Sequence, residues 1–334
     1  MRGFSYLGWK PAKGVILTGH RNDGTEGTDV QNTLKAAVVF TGRGLHSGRQ
    51  VRMTVRPAAA EHGLWFRRTD ILDHDALISA HWSSVQPSRL CTVIANAAGD
   101  SVSTIEHVMA ALAGCGIHNA LIEIDGPEVP ILDGSAAPFV EGFLARGLIE
   151  QSAPVRAIRV LQTVEVREGD AVARLEPSDM LEISFEIDFA AAFGKQSRQL
   201  NMSNGAFVRE LSNSRTFCLQ ADVDAMRASG LALGGTFDNA VVFQGDQVVS
   251  PGGLRHVDEP VRHKMLDAMG DLALAGGPIL GLYTGIRAGH ALTNRLLRTL
   301  FARPDAFRMV DCGALTVEKL PGVGVHRGDL PARR

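Results

Sequence analysis

Apolar and polar positions alternate strictly between residues 50 and 56, where Val51, Met53 and Val55 are separated by Arg52, Thr54 and Arg56. A period of two turns one face to a core and the other to water, which predicts a half-buried strand. Further strands are predicted at 120–124, 158–166, 171–175 and 181–189, where short apolar runs lie between turn residues. Helical spacing takes over at 103–112, closed by Gly114, and at 136–144, with Gly147 near its end. Later helices are predicted around 204–211, 221–228, 259–274 and 290–302. Gly245-Asp246 sits between two valine pairs and predicts a hairpin.

Strands come in consecutive runs rather than alternating with helices, which favours an α+β fold over a doubly wound parallel sheet. The stretch 149–156 is polar and carries Pro154, and it is the predicted domain boundary. This gives an irregular N-terminal extension over 1–33, a first α+β domain over 34–150, a second over 156–310 and a C-terminal tail over 311–334. The length of 334 residues agrees with two domains at about 150 residues each.

Composition narrows the function mainly by exclusion. A formal net charge of −2 argues against a dedicated nucleic-acid binder, which would carry a strongly basic domain. The four cysteines form no CxxC pair, so the sequence suggests neither a disulfide framework nor a thiolate metal site. The apolar run 272–286 is interrupted by Gly276-Gly277-Pro278, and a spanning helix needs about 20 apolar residues. With no signal-peptide pattern at the start, a cytoplasmic protein without a transmembrane anchor is expected.

Three local patterns can carry chemistry. On the predicted helix 259–274, His263 and Asp267 stand four residues apart and share a face, with Asp271 one turn further along. Imidazole and carboxylate both ligate Zn²⁺, although an exposed His–Asp pair on a helix has the same spacing. Glu106 directly precedes His107 at the start of a predicted helix. A carboxylate beside a metal-binding His is placed to act as a general base, yet Ser103-x-x-Glu106 also fits a plain capping box. His290 follows Gly289 at a strand–helix junction, where it is either a general acid or a surface His. Glycine-punctuated turns around His46 and at 130–135, and the segment Arg215-Thr216-Phe217, read locally as structural.

The segments GRGLHSG (42–48), LCT (90–92), STIEH (103–107), PILDGSAAPF (130–139), RTF (215–217), LALGGTFDNA (231–240), VRHKMLDAMGDL (261–272) and GHAL (289–292) are far more specific together than apart. Their order and spacing resemble the UDP-3-O-acyl-N-acetylglucosamine deacetylases, which catalyse the committed step of lipid A synthesis in Gram-negative bacteria. The resemblance covers about residues 35 to 310. It implies two similar domains, each a β-sheet layered against a helix pair, with the active site between them. An insertion near 217–249 would form a hydrophobic passage for the acyl chain, with Leu219, Met226, Leu231, Leu233, Val241, Val242 and Phe243 supplying apolar side chains.

The resemblance also implies roles. His107, His263 and Asp267 match the ligands of one catalytic Zn²⁺, a set that Fe²⁺ could also occupy in the cell. Glu106 matches the general base, His290 the protonated acid, Thr216 an oxyanion contact and Asp271 the carboxylate that orients His290. Lys264 is expected to point off the ligand face toward the substrate's diphosphate. Phe189 matches an aromatic that stacks on the uracil ring. His46, Phe217 and Arg287 complete the substrate-side set, with Arg287 standing where Lys is common. The expected partner is the small-molecule substrate UDP-3-O-acyl-N-acetylglucosamine, and the expected state is a monomer. Ala190-Ala191-Ala192, next to Phe189, departs from the usual Asn-His-Pro. A catalytically silent binding protein is disfavoured because the whole acid–base and ligand set is present. A different zinc peptidase is disfavoured because HExxH is absent.

Overall fold

The computed structural model describes residues 30–190 and 192–331. Most of the expected N-terminal extension, the middle of the Ala190–Ala192 run and the last three residues lie outside them. Alternation at 51–55 does what its period requires: Val51, Met53 and Val55 are buried in the strand Gln50–Pro57, while Arg52 and Arg56 face solvent. That strand lies between Val38–Arg43 and Ala120–Ile124 in a five-stranded sheet completed by Leu64–Arg68 and Leu77–Ser79. Neighbours run antiparallel except Leu64–Arg68 and Ala120–Ile124, which are parallel.

Two helices cover the apolar face of this sheet, α1 (Glu106–Gly114) and α2 (Ala137–Arg146). Phe40 of the sheet packs edge-on against Phe139 and Phe143 of α2 at ring distances of 4.9 and 5.8 Å. Nearly every residue of α1 is buried, as expected of a helix apolar on all sides. Its second neighbour is a helix of the other half.

That half is built on one central strand, Ile279–Ile286. Ala171–Pro177 pairs antiparallel to it, Leu181–Phe189 pairs parallel on the opposite edge, and Arg156–Val160 pairs parallel with its first residues. Val164–Glu168, Gly194–Asn201 and Phe307–Asp311 extend the sheet to seven strands. A short helix α3 (Gln220–Ala228) belongs to a small three-stranded insertion of Phe217–Leu219, Val241–Gln244 and Gln247–Val248. Its last two strands form the expected hairpin, with Gly245 at a φ of 62°. Helices α4 (Glu259–Ala273) and α5 (His290–Phe301) cover the large sheet, and α4 lies against α1. The fold is α+β, with two sheet-and-helix-pair layers meeting along α1 and α4.

Several expectations need correction. No capping box opens α1: Ser103 still belongs to the strand Ser101–Ser103, and its Oγ donates to the Pro127 carbonyl. Thr104 then turns through a φ of 57°, so the helix starts at Glu106. The single strand expected at 158–166 is two, because the backbone N–H groups of Leu161 and Gln162 both turn to the Ala306 carbonyl. The polar stretch at the expected boundary is mostly a strand, Leu148–Pro154, paired antiparallel with Val30–Leu34. Residues 30–33 are therefore part of the sheet structure rather than of an irregular extension. The C-terminal tail is also folded onto the core, where Cys312, Val317 and Leu320 pack with Val155, Ala157 and Leu280. The helix around 204–211 narrows to one π-helical turn, Phe207–Leu211.

Candidate active site

The first turn of α1 carries Glu106 and His107, and α4 carries His263, Asp267 and Asp271 on one face. All five are buried. His107, His263 and Asp267 each offer one ligand atom, and the three atoms lie within 4.8 Å of one another. Asp267 Oδ1 is 3.3 Å from His263 Nε2 and 3.6 Å from His107 Nε2. His263 Nδ1 faces the Ser214 carbonyl at 3.0 Å, so this nitrogen carries the proton and Nε2 presents a lone pair. Burial pushes the His263 imidazole down to about 4, which keeps it neutral. A lone pair facing a carboxylate oxygen is not a hydrogen bond, and Asp267 Oδ1 has no hydrogen-bond partner among the described residues. A cation between the three atoms resolves both facts, and two imidazoles with one carboxylate are a donor set that suits a divalent metal.

Lys264 departs from its expected direction. Its Nζ folds back to Asp267 Oδ2 at 2.5 Å instead of pointing away from the ligand face. Burial opposes charge on both side chains, but their attraction prevails, keeping the ammonium above its ordinary range and, with His263, the carboxyl well below its own.

A ring of polar contacts adjoins this cluster. Asp271 Oδ2 accepts a hydrogen bond from His290 Nδ1 at 2.8 Å, and Asp271 Oδ1 accepts one from Thr92 Oγ1 at 2.5 Å. The Thr92 backbone N–H donates to Glu106 Oε2 at 3.0 Å, and Glu106 Oε1 lies 3.8 Å from His290 Nε2. Burial works against a charged His290, but Asp271 and Glu106 overcome it and push the imidazole up to about 9. Burial also raises the Glu106 carboxyl, against the pull of His290 and His107. An acid and a base are thus held side by side, the arrangement general acid–base chemistry needs.

Glu106, the three candidate ligands, His290 and Thr216 line one cavity of about 1350 Å³. Asp271 sits behind His290 rather than in the wall. The cavity runs on into the insertion, where Leu219, Met226, Leu231 and Val242 line it. Val241 and Phe243 turn the other way, into a small core with Ala192. Phe189, Phe217, His46 and Arg287 are also in the cavity wall. Phe189 packs against Phe193 at 5.0 Å and Phe217 at 5.3 Å. Arg287 has a φ of 47° and its guanidinium grips Asp188 at 2.5 Å. Both ring nitrogens of His46 are buried without a partner among the described residues, and burial pulls its pKa down.

Residues that sequence reasoning left unassigned support the site from behind. Glu128 accepts the backbone N–H groups of His46 and Ser47 and the Thr104 hydroxyl, so one buried carboxylate ties the glycine turn to the entry of α1. Glu259 binds the guanidinium and the backbone N–H of Arg215, fixing the segment that bears Thr216 and the Ser214 carbonyl. Thr92 lies in the quoted segment LCT, which was its only signal. Phe193 had none, being a lone aromatic after three alanines.

The profile of the UDP-3-O-acyl N-acetylglycosamine deacetylase family matches residues 31–302. Over 280 residues the chain is 50% identical to the UDP-3-O-acyl-N-acetylglucosamine deacetylase of Phenylobacterium zucineum, covering 84% of this chain and 96% of that one. It is 47% identical over 283 residues to the enzyme of the same name from Xanthomonas axonopodis pv. citri, covering 84% and 93%. The Xanthomonas campestris enzyme is 46% identical over the same length. With its cavity, candidate metal ligands and acid–base ring inside the matched span, the chain belongs to the UDP-3-O-acyl-N-acetylglucosamine deacetylase family.

Proposed function

We infer that the protein hydrolyses the N-acetyl amide of UDP-3-O-acyl-N-acetylglucosamine, releasing acetate and the free amino sugar nucleotide, the committed step of lipid A biosynthesis. The observation that carries this reading is the convergence of His107, His263 and Asp267 beside the Glu106–His290 pair in one cavity with an apolar extension. His107, His263 and Asp267 would hold a single Zn²⁺, the ion favoured over Fe²⁺ in this reading. Three protein ligands leave a position open, which is the catalytic rather than the structural pattern. When bound there, such an ion would supply Lewis acidity for the acetyl carbonyl and for water.

The chain's own residues do the rest. Glu106 accepts the proton of the attacking water. Thr216 offers its hydroxyl, and His290 its positive charge, where negative charge develops on the carbonyl oxygen. His290 holds a proton at Nε2 through its bond to Asp271 and delivers it to the departing amine. Lys264 secures Asp267 and keeps a positive charge beside the ligand cluster. His46, Phe189, Phe217 and Arg287 contact the sugar nucleotide, and the insertion receives the acyl chain. The reading includes two domains, a monomer and a cytoplasmic location. No helix of the described residues is long and apolar enough to cross a membrane.

Acetate release from UDP-3-O-acyl-N-acetylglucosamine tests the reading. Release that stops on chelation and returns with zinc is expected. A folded, zinc-loaded protein that releases no acetate would overturn it.

A further inference from the structure

Three carboxylates approach His290: Asp271 at Nδ1, and Glu106 and Asp267 at Nε2. In two of them, Glu106 and Asp271, Thr92 occupies the oxygen turned away from the imidazole. Its backbone N–H takes Glu106 Oε2, which leaves Oε1 toward His290 Nε2. Its hydroxyl takes Asp271 Oδ1, which leaves Oδ2 for His290 Nδ1. The result is a ring of four residues from four separate segments, the strand entry at Thr92, α1, α4 and α5, completed by the 3.8 Å approach of Glu106 to His290.

We propose that Thr92 is a positioning residue, which selects the oxygen that Glu106 and Asp271 each present to His290. The inference rests on the roles assigned above to Glu106 and His290. An ionised carboxylate only accepts hydrogen bonds, so the Thr92 hydroxyl must be the donor to Asp271. At 2.5 Å this contact has the short length of a charge-assisted bond. Thr92 is itself held in place. It is buried, its β-branched side chain has few rotamers, and the next residue, Val93, pairs with Gln86 on one side and Ser103 on the other. The third strand of that small sheet leads directly into α1, so the same framework sets Thr92 and Glu106. Thr92 also bridges the halves, since Asp271 belongs to α4. A threonine present only to fill space would need no partner on both carboxylates.

The test compares Thr92→Val with Thr92→Ser. Valine keeps the shape and the backbone N–H to Glu106 but removes the donor to Asp271. Serine keeps the donor. Thr92→Val is expected to retain zinc and a KM within about twofold of the parent, while kcat falls by about tenfold, the usual scale of one lost buried hydrogen bond. Thr92→Ser should recover most of that loss. The far-downfield imidazole proton of His290 should shift or broaden in the valine protein and persist in the serine protein. If the valine protein does not fold, Thr92→Ala takes its place against serine in both measurements. A valine or alanine protein with parental kcat and an unchanged His290 proton would overturn the proposal. So would equal impairment by valine and serine, which would mark a packing role. Failure of the parent to release acetate would instead strike the proposed function, and the resonance would still decide the positioning.

Discussion

Gly270 of α4 faces the backbone carbonyl of Glu106 so closely that a Cβ on it would stand 2.0 Å from that oxygen. Backbone therefore meets backbone where α1 and α4 cross, and Asp267 and Asp271 fall on either side of the contact. The candidate ligand cluster depends on this approach, because His107 comes from one helix and His263 and Asp267 from the other.

A methyl group at this crossing has no flexible side chain to displace. Gly270→Ala is expected to cost about 1–3 kcal/mol of stability, the range for overpacking, and to weaken zinc binding as the helices part. Chemical denaturation and zinc content after dialysis check it. Parental values in both would show that the crossing is looser than the geometry states.

Glu106 and His263 should separate chemistry from metal holding. Glu106→Gln is expected to keep stoichiometric zinc while kcat drops by about 10²–10⁴-fold, the span of a lost general base. His263→Ala is expected to lose zinc as well, since it removes the Nε2 that Ser214 directs at the cluster. Elemental analysis alongside acetate release reads both, and full turnover by Glu106→Gln would exclude it as the base.

His290 sets the expected behaviour at high pH. Its imidazole is raised to about 9 because Asp271 and Glu106 outweigh burial, so activity should fall as pH passes about 9. A group raised on folding stabilises most below its unfolded value near 6.5, and that contribution is lost as pH climbs through about 9. Asp271→Asn leaves burial less opposed, and the basic limb of kcat/KM should move to lower pH. A limb that stays in place would remove His290 as the titrating acid.

Met226 tests the acyl passage. It lines the cavity from α3, whereas the candidate ligands line it from α1 and α4. Met226→Trp is expected to raise KM for a long-chain substrate severalfold and to leave a short-chain substrate nearly unaffected. Equal effects on both chain lengths would mean that the chain runs elsewhere.

The sequence carried the catalytic centre better than its supports. His263 and Asp267 were legible because helical spacing puts residues four apart on one face, and the helix formed within one residue of its expected end. Lys264 was misread by the same rule: its Cα lies off that face, but four methylenes let its ammonium reach back to Asp267. Ser103 fitted a capping pattern, yet its pairing with Val93 keeps it in a strand, and that competition is invisible in a local motif. The strand at 148–154 was hidden for a related reason. Its polar residues suit an edge, and its partner lies over 100 residues away. Thr92 shows the limit most clearly, since its two carboxylate partners are 14 and 179 residues distant.

The pairing of Val30–Leu34 with Leu148–Pro154 has a consequence for association. Val30–Leu34 is fastened further by Asn32 N–H to His118 Nδ1 and by the Thr33 hydroxyl to the Asn119 carbonyl. A chain shortened to begin at residue 36 would strip that cover and leave Leu148–Pro154 with a free row of backbone donors and acceptors. Open strand edges recruit other strands. Removing Val30–Leu34 is therefore expected to promote concentration-dependent association, which light scattering of a protein beginning at residue 36 against the parent would show or refute.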